Sequence, residues 1–204
     1  LFLLWGQFHF YKNEIASIRE ITPNIPVTSN FMGNYSRMRL FTGLDYWKFA
    51  QEVDVATWDN YLAWHNDFDS TEDHAANVSF VHDIYRSLKD GQPFLIMEST
   101  PSLVNWHDTN KLKRPGMHLL SSMQGVAHGA DSVLYFQWRK GRGASEKFHG
   151  AVVDHSGHEN TRVFREVTEV GEVLNKLKEI QSSKAESKVA VIYDVENRWA
   201  IDDL

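Results

Sequence analysis

A glutamate at the end of a short apolar run is the residue around which the chemistry of this sequence can be built. Phe94 to Met97 are apolar, Gly91-Gln92-Pro93 precedes them, and Glu98 follows directly. A run of this length between turn residues is typical of a buried strand in a parallel sheet. Barrel enzymes place catalytic groups at the carboxyl ends of such strands. We therefore predict that Glu98 is catalytic; the alternative is that it only accepts hydrogen bonds from the next loop.

Other polar and aromatic residues share this placement at or just beyond predicted strand ends. Retaining hydrolysis of a glycosidic bond needs two carboxyl groups about 5 to 5.5 Å apart, one as nucleophile and one as acid and base. Aromatic rings stack on a sugar, and polar side chains bind its hydroxyls. We expect Trp58 and Phe136 to be core residues. Asp59 and Asn60 could instead only cap a turn. The candidates are Asn30, Asp59, Tyr61, Trp106, Trp138, Glu146 and His149.

Repeated units of strand, loop and helix would position these residues. The four predicted strands are Ile25–Thr28, Val53–Trp58, the run before Glu98, and Ser132–Phe136. Helical spacing predicts helices over Tyr11–Ile21, Leu44–Gln51, Ala76–Leu88, Met117–His128 and Thr161–Ile180. The strand ends, near Asn30, Trp58, Glu98 and Gln137, are 28, 40 and 39 residues apart.

This spacing predicts an α/β fold with a parallel sheet. Four such units with functional residues at the carboxyl ends describe half of an eight-stranded (β/α)8 barrel. An open doubly wound sheet is the alternative, but no glycine-rich phosphate loop follows a strand.

The two ends of the sequence indicate an internal piece of a longer enzyme. The chain begins at Leu1, inside an apolar stretch, and stops soon after Lys188–Asp194, which is patterned as the first strand of a new α/β unit. A polar linker, Ser183–Ser187, separates that unit from the preceding helix. Natural termini are usually polar and frayed.

Composition excludes several classes of partner. The net charge is −6 over 204 residues, and no basic run is present, which argues against nucleic acid and anionic membrane surfaces. No stretch approaches the roughly 18 apolar residues of a spanning helix. Seven Trp, seven Tyr and ten His suit a polar ligand stacked on rings, and the absence of Cys excludes disulfides and thiolate metal sites. We expect a soluble, cytoplasmic protein.

Several segments resemble the family 42 glycoside hydrolases, which are β-galactosidases. They are TPNIPVTSNFMG, VATWDNY, HDIYRSLKDGQPFLIMESTPSLVNW, KRPGMH, QGVAHGADSVLYFQWRKGRGASEKFHGAVVDHSGHENTRVFREV and VAVIYDVENRWA. The resemblance runs from about Tyr11 to Trp199. It implies retaining hydrolysis of terminal β-galactosides without a cofactor, in a homotrimeric parent enzyme. It also implies that residues 1–182 are the C-terminal half of a catalytic (β/α)8 barrel, and that residues 183–204 are a linker and the start of a smaller, trimerisation-type α/β domain.

The same resemblance implies roles for five residues. Glu98, in MEST, corresponds to the nucleophile, and Tyr61, in WDNY, is similar to the tyrosine that approaches it. Trp106 resembles the tryptophan that stacks on the sugar. Glu146 and His149, in EKFHG, resemble ligands of galactose hydroxyls.

The family's acid/base has no counterpart in this sequence. In the family it is the Glu of an Asn-Glu pair after the fourth barrel strand, upstream of the matched segments. Asn13-Glu14 lies in a helical pattern, while Glu159-Asn160 and Glu196-Asn197 have the reverse order. We therefore expect the acid/base to be absent and the isolated chain to be inactive.

Two alternatives belong to other functional classes. His149, His155 and His158 could supply a metal-dependent hydrolase with ligands, although they lack the His-x-x-x-His spacing that places two ligands on one helix face. A non-catalytic carbohydrate-binding module would also use an aromatic cleft. A binding module does not need a carboxylate at the end of a buried strand, where Glu98 is predicted to lie. We therefore expect an enzyme, and we expect no metal.

Overall fold

The computed structural model describes residues 2–32, 44–61 and 70–202 of the chain. Strands and helices alternate through most of this part, as the sequence predicts. In chain order the elements are α1 (Phe2–Ile21), β1 (Phe31–Met32), α2 (Tyr46–Glu52), β2 (Thr57–Asn60), α3 (Thr71–Ser87), β3 (Phe94–Ser99), α4 (Met117–Ala127), β4 (Ala130–Val133), α5 (Arg162–Lys176), a short 3-10 helix (Lys178–Ile180) and α6 (Val195–Asp202).

The four strands of the described residues form one parallel sheet in the order β1-β2-β3-β4. One helix connects each strand to the next, which is the connection that parallel neighbours require. The register pairs Asp59 of β2 with Glu98 of β3. Because the strands are parallel and follow one another in order, their carboxyl ends lie along one edge of the sheet.

Local sequence signals fix where the helices begin and end. The Ser70 side chain accepts a hydrogen bond from the Asp73 backbone, and the Asp73 carboxylate accepts one from the Ser70 backbone, so the two form a capping box at α3. Thr161 caps α5 with its hydroxyl alone, which accepts a hydrogen bond from the Phe164 backbone N–H. Gly91 has φ of 73°, a conformation that favours glycine, and its N–H donates to the Arg86 carbonyl after α3 ends. These caps orient the loops that enter and leave the sheet.

Aromatic side chains fill the space between the sheet and its helices. Trp58 of β2 is only 2% exposed, as predicted, and stacks on Tyr85 of α3 with ring centroids 5.5 Å apart. Phe94 and Ile96 of β3 are fully buried beside them. Burial of such rings contributes much of the stability of a core and holds β2 and β3 rigidly against α3.

Two predicted elements near the start of the chain differ from the structure. The first helix starts at Phe2 instead of Tyr11, because Leu4 and Phe8 also pack against the core, with the Phe8 and Phe49 ring centroids 5.5 Å apart. The predicted strand Ile25–Thr28 is not a strand, and β1 is Phe31–Met32. Pro26 has no N–H to donate to a neighbouring strand.

The predicted bounds of two further strands are shifted. β2 is Thr57–Asn60 instead of Val53–Trp58, and β4 is Ala130–Val133 instead of Ser132–Phe136. Past the end of β4, Phe136 still donates to the Ser99 carbonyl at 3.0 Å. Strand bounds depend on the neighbouring strand, which a run of apolar residues does not reveal.

The segment Lys188–Asp194 is not a strand, contrary to the prediction from its run of apolar residues. Val191 is 74% and Ile192 95% exposed, and α6 begins at Val195. A strand persists through hydrogen bonds to a neighbour, and no strand in the described part of the chain pairs with this segment.

Three smaller expectations also change. The predicted helix over Thr161–Ile180 is divided into α5 and the 3-10 helix, and α3 begins at Thr71, earlier than Ala76. The sequence also predicts loops over Gly33–Gly43 and His65–Asp73; residues 33–43 and 65–69 lie outside the described residues, and Thr71–Asp73 form the first turn of α3 instead of loop. Of the helices in the described ranges, none combines the length and the apolar character needed to cross a bilayer.

Candidate active site

Three consecutive strands bring polar side chains together at the carboxyl edge of the sheet. Asn30 directly precedes β1, Asp59 lies in β2 with Tyr61 just beyond it, and Glu98 lies near the end of β3. Asp59 and Glu98 are register partners. The sheet thus places residues that are 68 positions apart in sequence, Asn30 and Glu98, in direct contact.

Both carboxylate oxygens of Glu98 accept hydrogen bonds. The Tyr61 hydroxyl donates to Oε2 at 2.5 Å, and Asn30 Nδ2 donates to Oε1 at 2.7 Å. Burial raises the pKa of Tyr61, and its hydrogen bond to Glu98 raises it further, so the phenol keeps the hydrogen that it donates. Hydrogen bonds to a charged acceptor are short and strong. The two donors fix the orientation of the Glu98 carboxylate.

Asp59 is a second carboxyl group next to Glu98, and it is poorly solvated. Its side chain is only 7% exposed. Asn30 Nδ2 is its partner, at 3.2 and 3.4 Å from the two oxygens. Burial raises the pKa of Asp59 to about 7, the charge of Glu98 adds to this, and the Asn30 hydrogen bond opposes it. Asp59 therefore retains its proton at pH values where an exposed Asp would be ionised.

Aromatic rings form one side of the site. Trp106 meets Tyr61 edge to face, with centroids 4.9 Å apart, and lies 5.1 Å from the His149 ring. Trp106 is 46% exposed, so one part of its indole ring is available to a ligand. An exposed ring of this kind, supported from behind by other rings, suits stacking on the apolar face of a sugar.

His149 is fully buried beneath these rings, with one nitrogen unpartnered. Its Nδ1 lies 2.9 Å from the Gly150 carbonyl, which can only accept, so Nδ1 carries the hydrogen. Nε2 is buried and has no hydrogen-bond partner among the described residues. Buried polar atoms are usually satisfied. With the hydrogen on Nδ1, Nε2 is a buried acceptor that the described residues leave unsatisfied.

A cleft of about 510 Å³ runs over this group of residues. Five of the predicted site residues line it, namely Asp59, Tyr61, Glu98, Trp106 and Glu146, and His149 contacts Tyr61 and Trp106 from behind. Phe136 was predicted to be core, which is wrong: it lies beyond the end of β4 and lines the cleft. Trp138 is 67% exposed and is not a lining residue. The lining residues are Met32, Asp59, Tyr61, Glu98, Trp106, Phe136 and Glu146.

The loop after Glu98 is held against the segment that carries Glu146 and His149. Gly150 donates its N–H to the Leu103 carbonyl at 2.8 Å, and the Thr100 hydroxyl donates to the same carbonyl at 2.7 Å. Asn105 Nδ2 donates to the Ser145 carbonyl at 2.6 Å. These bonds join the two loops that carry Trp106 and His149, so the cleft has a defined shape.

Lys113 supports this loop and was missed by sequence reasoning. Its side-chain ammonium donates to the Thr100 carbonyl at 2.7 Å, and its backbone N–H donates to the Ser102 carbonyl at 3.0 Å. Burial lowers the pKa of Lys113 to about 8, with the charge of Glu166 opposing the shift. The KRPGMH segment contains this lysine, but nothing in the sequence indicates which carbonyl it binds.

The three histidines of the metal hypothesis have separate partners. His155 Nε2 lies 2.8 Å from the Gly141 carbonyl, and His158 Nδ1 accepts a hydrogen bond from the Asn160 backbone. No group of three potential ligands within residues 2–32, 44–61 and 70–202 could hold a metal ion. The described part of the chain thus gives the metal-dependent alternative no site.

Known proteins match nearly the whole chain. The model of glycoside hydrolase family 42, described as β-galactosidase, matches residues 1–177. β-Galactosidase GalA of Bacillus licheniformis is 60% identical over 194 residues, which are 95% of this chain and 29% of GalA. β-Galactosidase Pbg of Clostridium perfringens is 58% identical over 195 residues, 95% of this chain and 28% of Pbg. The chain thus spans less than a third of the length of these relatives.

Solved structures of the same family share the fold. Gan42B, a GH42 β-galactosidase from G. stearothermophilus, superposes with a TM-score of 0.90 at 58% identity, over 97% of this chain and 29% of Gan42B. The β-galactosidase of Rahnella sp. R3 gives 0.88 at 52% identity, over 97% of this chain and 28% of that structure. The parallel α/β sheet of this chain matches the TIM-barrel structures of these enzymes, and the chain belongs to glycoside hydrolase family 42.

Proposed function

We propose that this chain is the nucleophile-bearing, C-terminal half of the catalytic barrel of a retaining β-galactosidase. The observation that carries the proposal is the setting of Glu98. It lies at the carboxyl end of a barrel-type strand, with both oxygens hydrogen-bonded, in a cleft that contains an exposed tryptophan. The β-galactosidase names of GalA and Pbg support the substrate class.

Glu98 acts as the nucleophile in this proposal. One carboxylate oxygen attacks the anomeric carbon of a terminal β-galactoside while the bond from that carbon to the aglycone oxygen breaks. The product is a covalent galactosyl ester on Glu98, which water then hydrolyses with a second inversion, so that the configuration is retained. Tyr61 and Asn30 hold the carboxylate in its attacking orientation, and much of the rate of such a step comes from this positioning.

The aromatic side of the cleft binds the galactose ring. Trp106 stacks on its apolar face, while Glu146 and the free Nε2 of His149 accept hydrogen bonds from its hydroxyls. Binding through several hydroxyls gives specificity, because an analogue that lacks one of them leaves a buried acceptor unpaired. A non-catalytic binding module would not need a nucleophile held by two donors, so we do not favour that alternative.

The acid/base belongs, in this proposal, to a part of the full-length enzyme that the chain does not span. A retaining mechanism requires the second carboxyl group on the other side of the glycosidic bond. Asp59 lies beside Glu98 on the adjacent strand and shares Asn30 with it, so the two do not face each other across a sugar. Glu14 is an exposed residue within α1. The isolated chain is therefore expected not to hydrolyse lactose.

The other expectations remain predictions. They are the division into barrel residues 1–182 and a second-domain start at 183–204, a homotrimeric parent enzyme, and a cytoplasmic location.

Covalent trapping tests the assignment of Glu98. A 2-deoxy-2-fluoro-β-galactoside with a dinitrophenyl leaving group reacts with a nucleophile but yields an ester that hydrolyses slowly. Incubated with the full-length enzyme, it should add one fluorogalactosyl group to the peptide that contains Glu98, as seen by mass spectrometry. A Glu146→Gln variant serves as a control, because it should still be labelled at Glu98. Labelling of another carboxylate would overturn the proposal.

A further inference from the structure

Asp59 and Glu98 form a carboxyl pair in which one amide nitrogen serves both members. Asn30 Nδ2 lies 2.7 Å from Glu98 Oε1 and 3.2 Å from Asp59 Oδ1. Its two hydrogens thus allow one bond to each residue. Both carboxyl groups line the same cleft, and adjacent strands hold them at the same level of the sheet.

The two members of the pair have unequal partners. Glu98 accepts short hydrogen bonds from both Tyr61 and Asn30, whereas, among the described residues, Asp59 accepts hydrogen bonds from Asn30 only, and these are long. Asp59 is also nearly excluded from water, at 7% exposure. Burial with few hydrogen-bond donors disfavours the charged form of a carboxyl group, and the charge of a second carboxylate nearby disfavours it further. A proton shared by this pair therefore belongs on Asp59.

We infer that Asp59 holds the proton of this pair and acts as a positioning residue for Glu98, an inference that rests on the proposed function. Protonated Asp59 is a neutral neighbour, which leaves Glu98 as the charged and nucleophilic member. It also competes weakly for the amide, so Asn30 stays directed at Glu98. Once Asp59 ionises, it attracts the same amide hydrogens and places a second negative charge beside the nucleophile.

The surroundings of Asp59 give this proton few other partners. The ionisable side chains around Asp59, among the described residues, are Glu98 of β3, Tyr61 beyond β2 and Tyr85 of α3, and Glu146 lines the same cleft. Both tyrosines have raised pKa values, chiefly because of burial, and remain neutral. Glu98 is thus the charged neighbour whose interaction with Asp59 changes near neutral pH, since the pKa of Asp59 is raised to about 7.

The test is the pH dependence of Glu98 labelling by the dinitrophenyl fluorogalactoside in the full-length enzyme. This leaving group needs little protonation, so the rate reports on the nucleophile and its neighbours. The wild-type rate should show an inflection close to neutral pH. Asp59→Asn, which keeps the shape of a neutral Asp, should lose that inflection. Asp45→Asn is the control: it alters a buried Asp that caps α2, and the labelling rate of this variant should keep the inflection.

A second variant moves the inflection instead of removing it. Asn30 lowers the pKa of Asp59 through its hydrogen bond, so Asn30→Ala should shift the inflection to higher pH. An inflection that persists in Asp59→Asn, or that stays in place or falls in Asn30→Ala, would overturn the inference. Failure of the wild-type enzyme to be labelled at Glu98 would instead overturn the proposed nucleophile, so the two failures are distinguishable.

Discussion

Replacing Gly150 by alanine tests whether the packing behind the cleft positions its residues. Gly150 directly follows His149, and its N–H is bound to the Leu103 carbonyl in the loop between Glu98 and Trp106. A Cβ at this position would lie 2.5 Å from Ser102 Oγ, 2.6 Å from Thr100 Oγ1 and 2.7 Å from the Leu103 carbonyl oxygen. Normal contacts between such atoms are about 3.5 Å or more, so the two loops must separate by most of an ångström.

The expected cost follows from this geometry. Overpacking a well-packed site usually costs about 1–3 kcal/mol in the free energy of unfolding. Relief by rotating Ser102 and Thr100 is limited, because the Thr100 hydroxyl is bound to the Leu103 carbonyl and its own carbonyl to Lys113. A displacement of about 1 Å at groups that position a substrate can cost roughly 100-fold in rate. We therefore expect Gly150→Ala to lower both stability and kcat/KM.

Gly143→Ala provides the matched control. Gly143 lies in the same long loop, and, apart from its chain neighbours, no described residue has an atom within 4 Å of the position that its Cβ would occupy. Thermal unfolding of the full-length enzyme and kcat/KM on an aryl β-galactoside should be near wild type for Gly143→Ala. For Gly150→Ala we expect a Tm lower by several degrees, at about 2–4 °C per kcal/mol. Equal values for the two variants would refute the packing argument.

Three other changes give distinct results. Tyr61→Phe should lower kcat/KM roughly 10- to 100-fold, because a hydrogen bond to a charged group contributes about 1.5–3 kcal/mol; an unchanged value would contradict its role at Glu98. Trp106→Ala should raise KM and lower kcat, since stacking acts in both ground and transition states, and unchanged constants would place the sugar elsewhere. Burial lowers the pKa of His82 from 6.5 to about 3. Between these two pH values the unfolded state therefore binds one more proton than the folded state, so stability falls as the pH drops from 6.5 towards 3. His82→Leu should make Tm less dependent on pH there, and an equal dependence would contradict the argument.

The sequence predicted the alternation of elements and the position of Glu98 well. Glu98 follows an apolar run that comes after Gly91 and Pro93, and this run forms β3, with Phe94 and Ile96 buried in the core. Helical spacing also predicted α4 and α5, whereas the capping box at Ser70 was missed and α3 was predicted to begin too late, at Ala76. The elements that were predicted depend on neighbours in sequence, which is why reading the chain in order recovers them.

Features that depend on distant partners could not be predicted. The contact between Asn30 and Glu98 arises from parallel pairing of three strands, and the raised pKa of Asp59 follows from burial that no local pattern encodes. Phe136 looked like a core residue because aromatic residues usually are, yet it lies past the end of β4 and faces the cleft. Lys188–Asp194 has the apolar run of a strand but no paired neighbour in the described part of the chain.

The stereochemistry of azide rescue tests the central claim most directly. Glu98→Ala in the full-length enzyme removes the nucleophile and leaves space beside the anomeric carbon. With an activated aryl β-galactoside, azide should enter that space and attack once, so the account predicts restored turnover and α-galactosyl azide as the product. Rescue that yields β-galactosyl azide, or near-normal activity of the variant without azide, would contradict the assignment of Glu98 as the nucleophile.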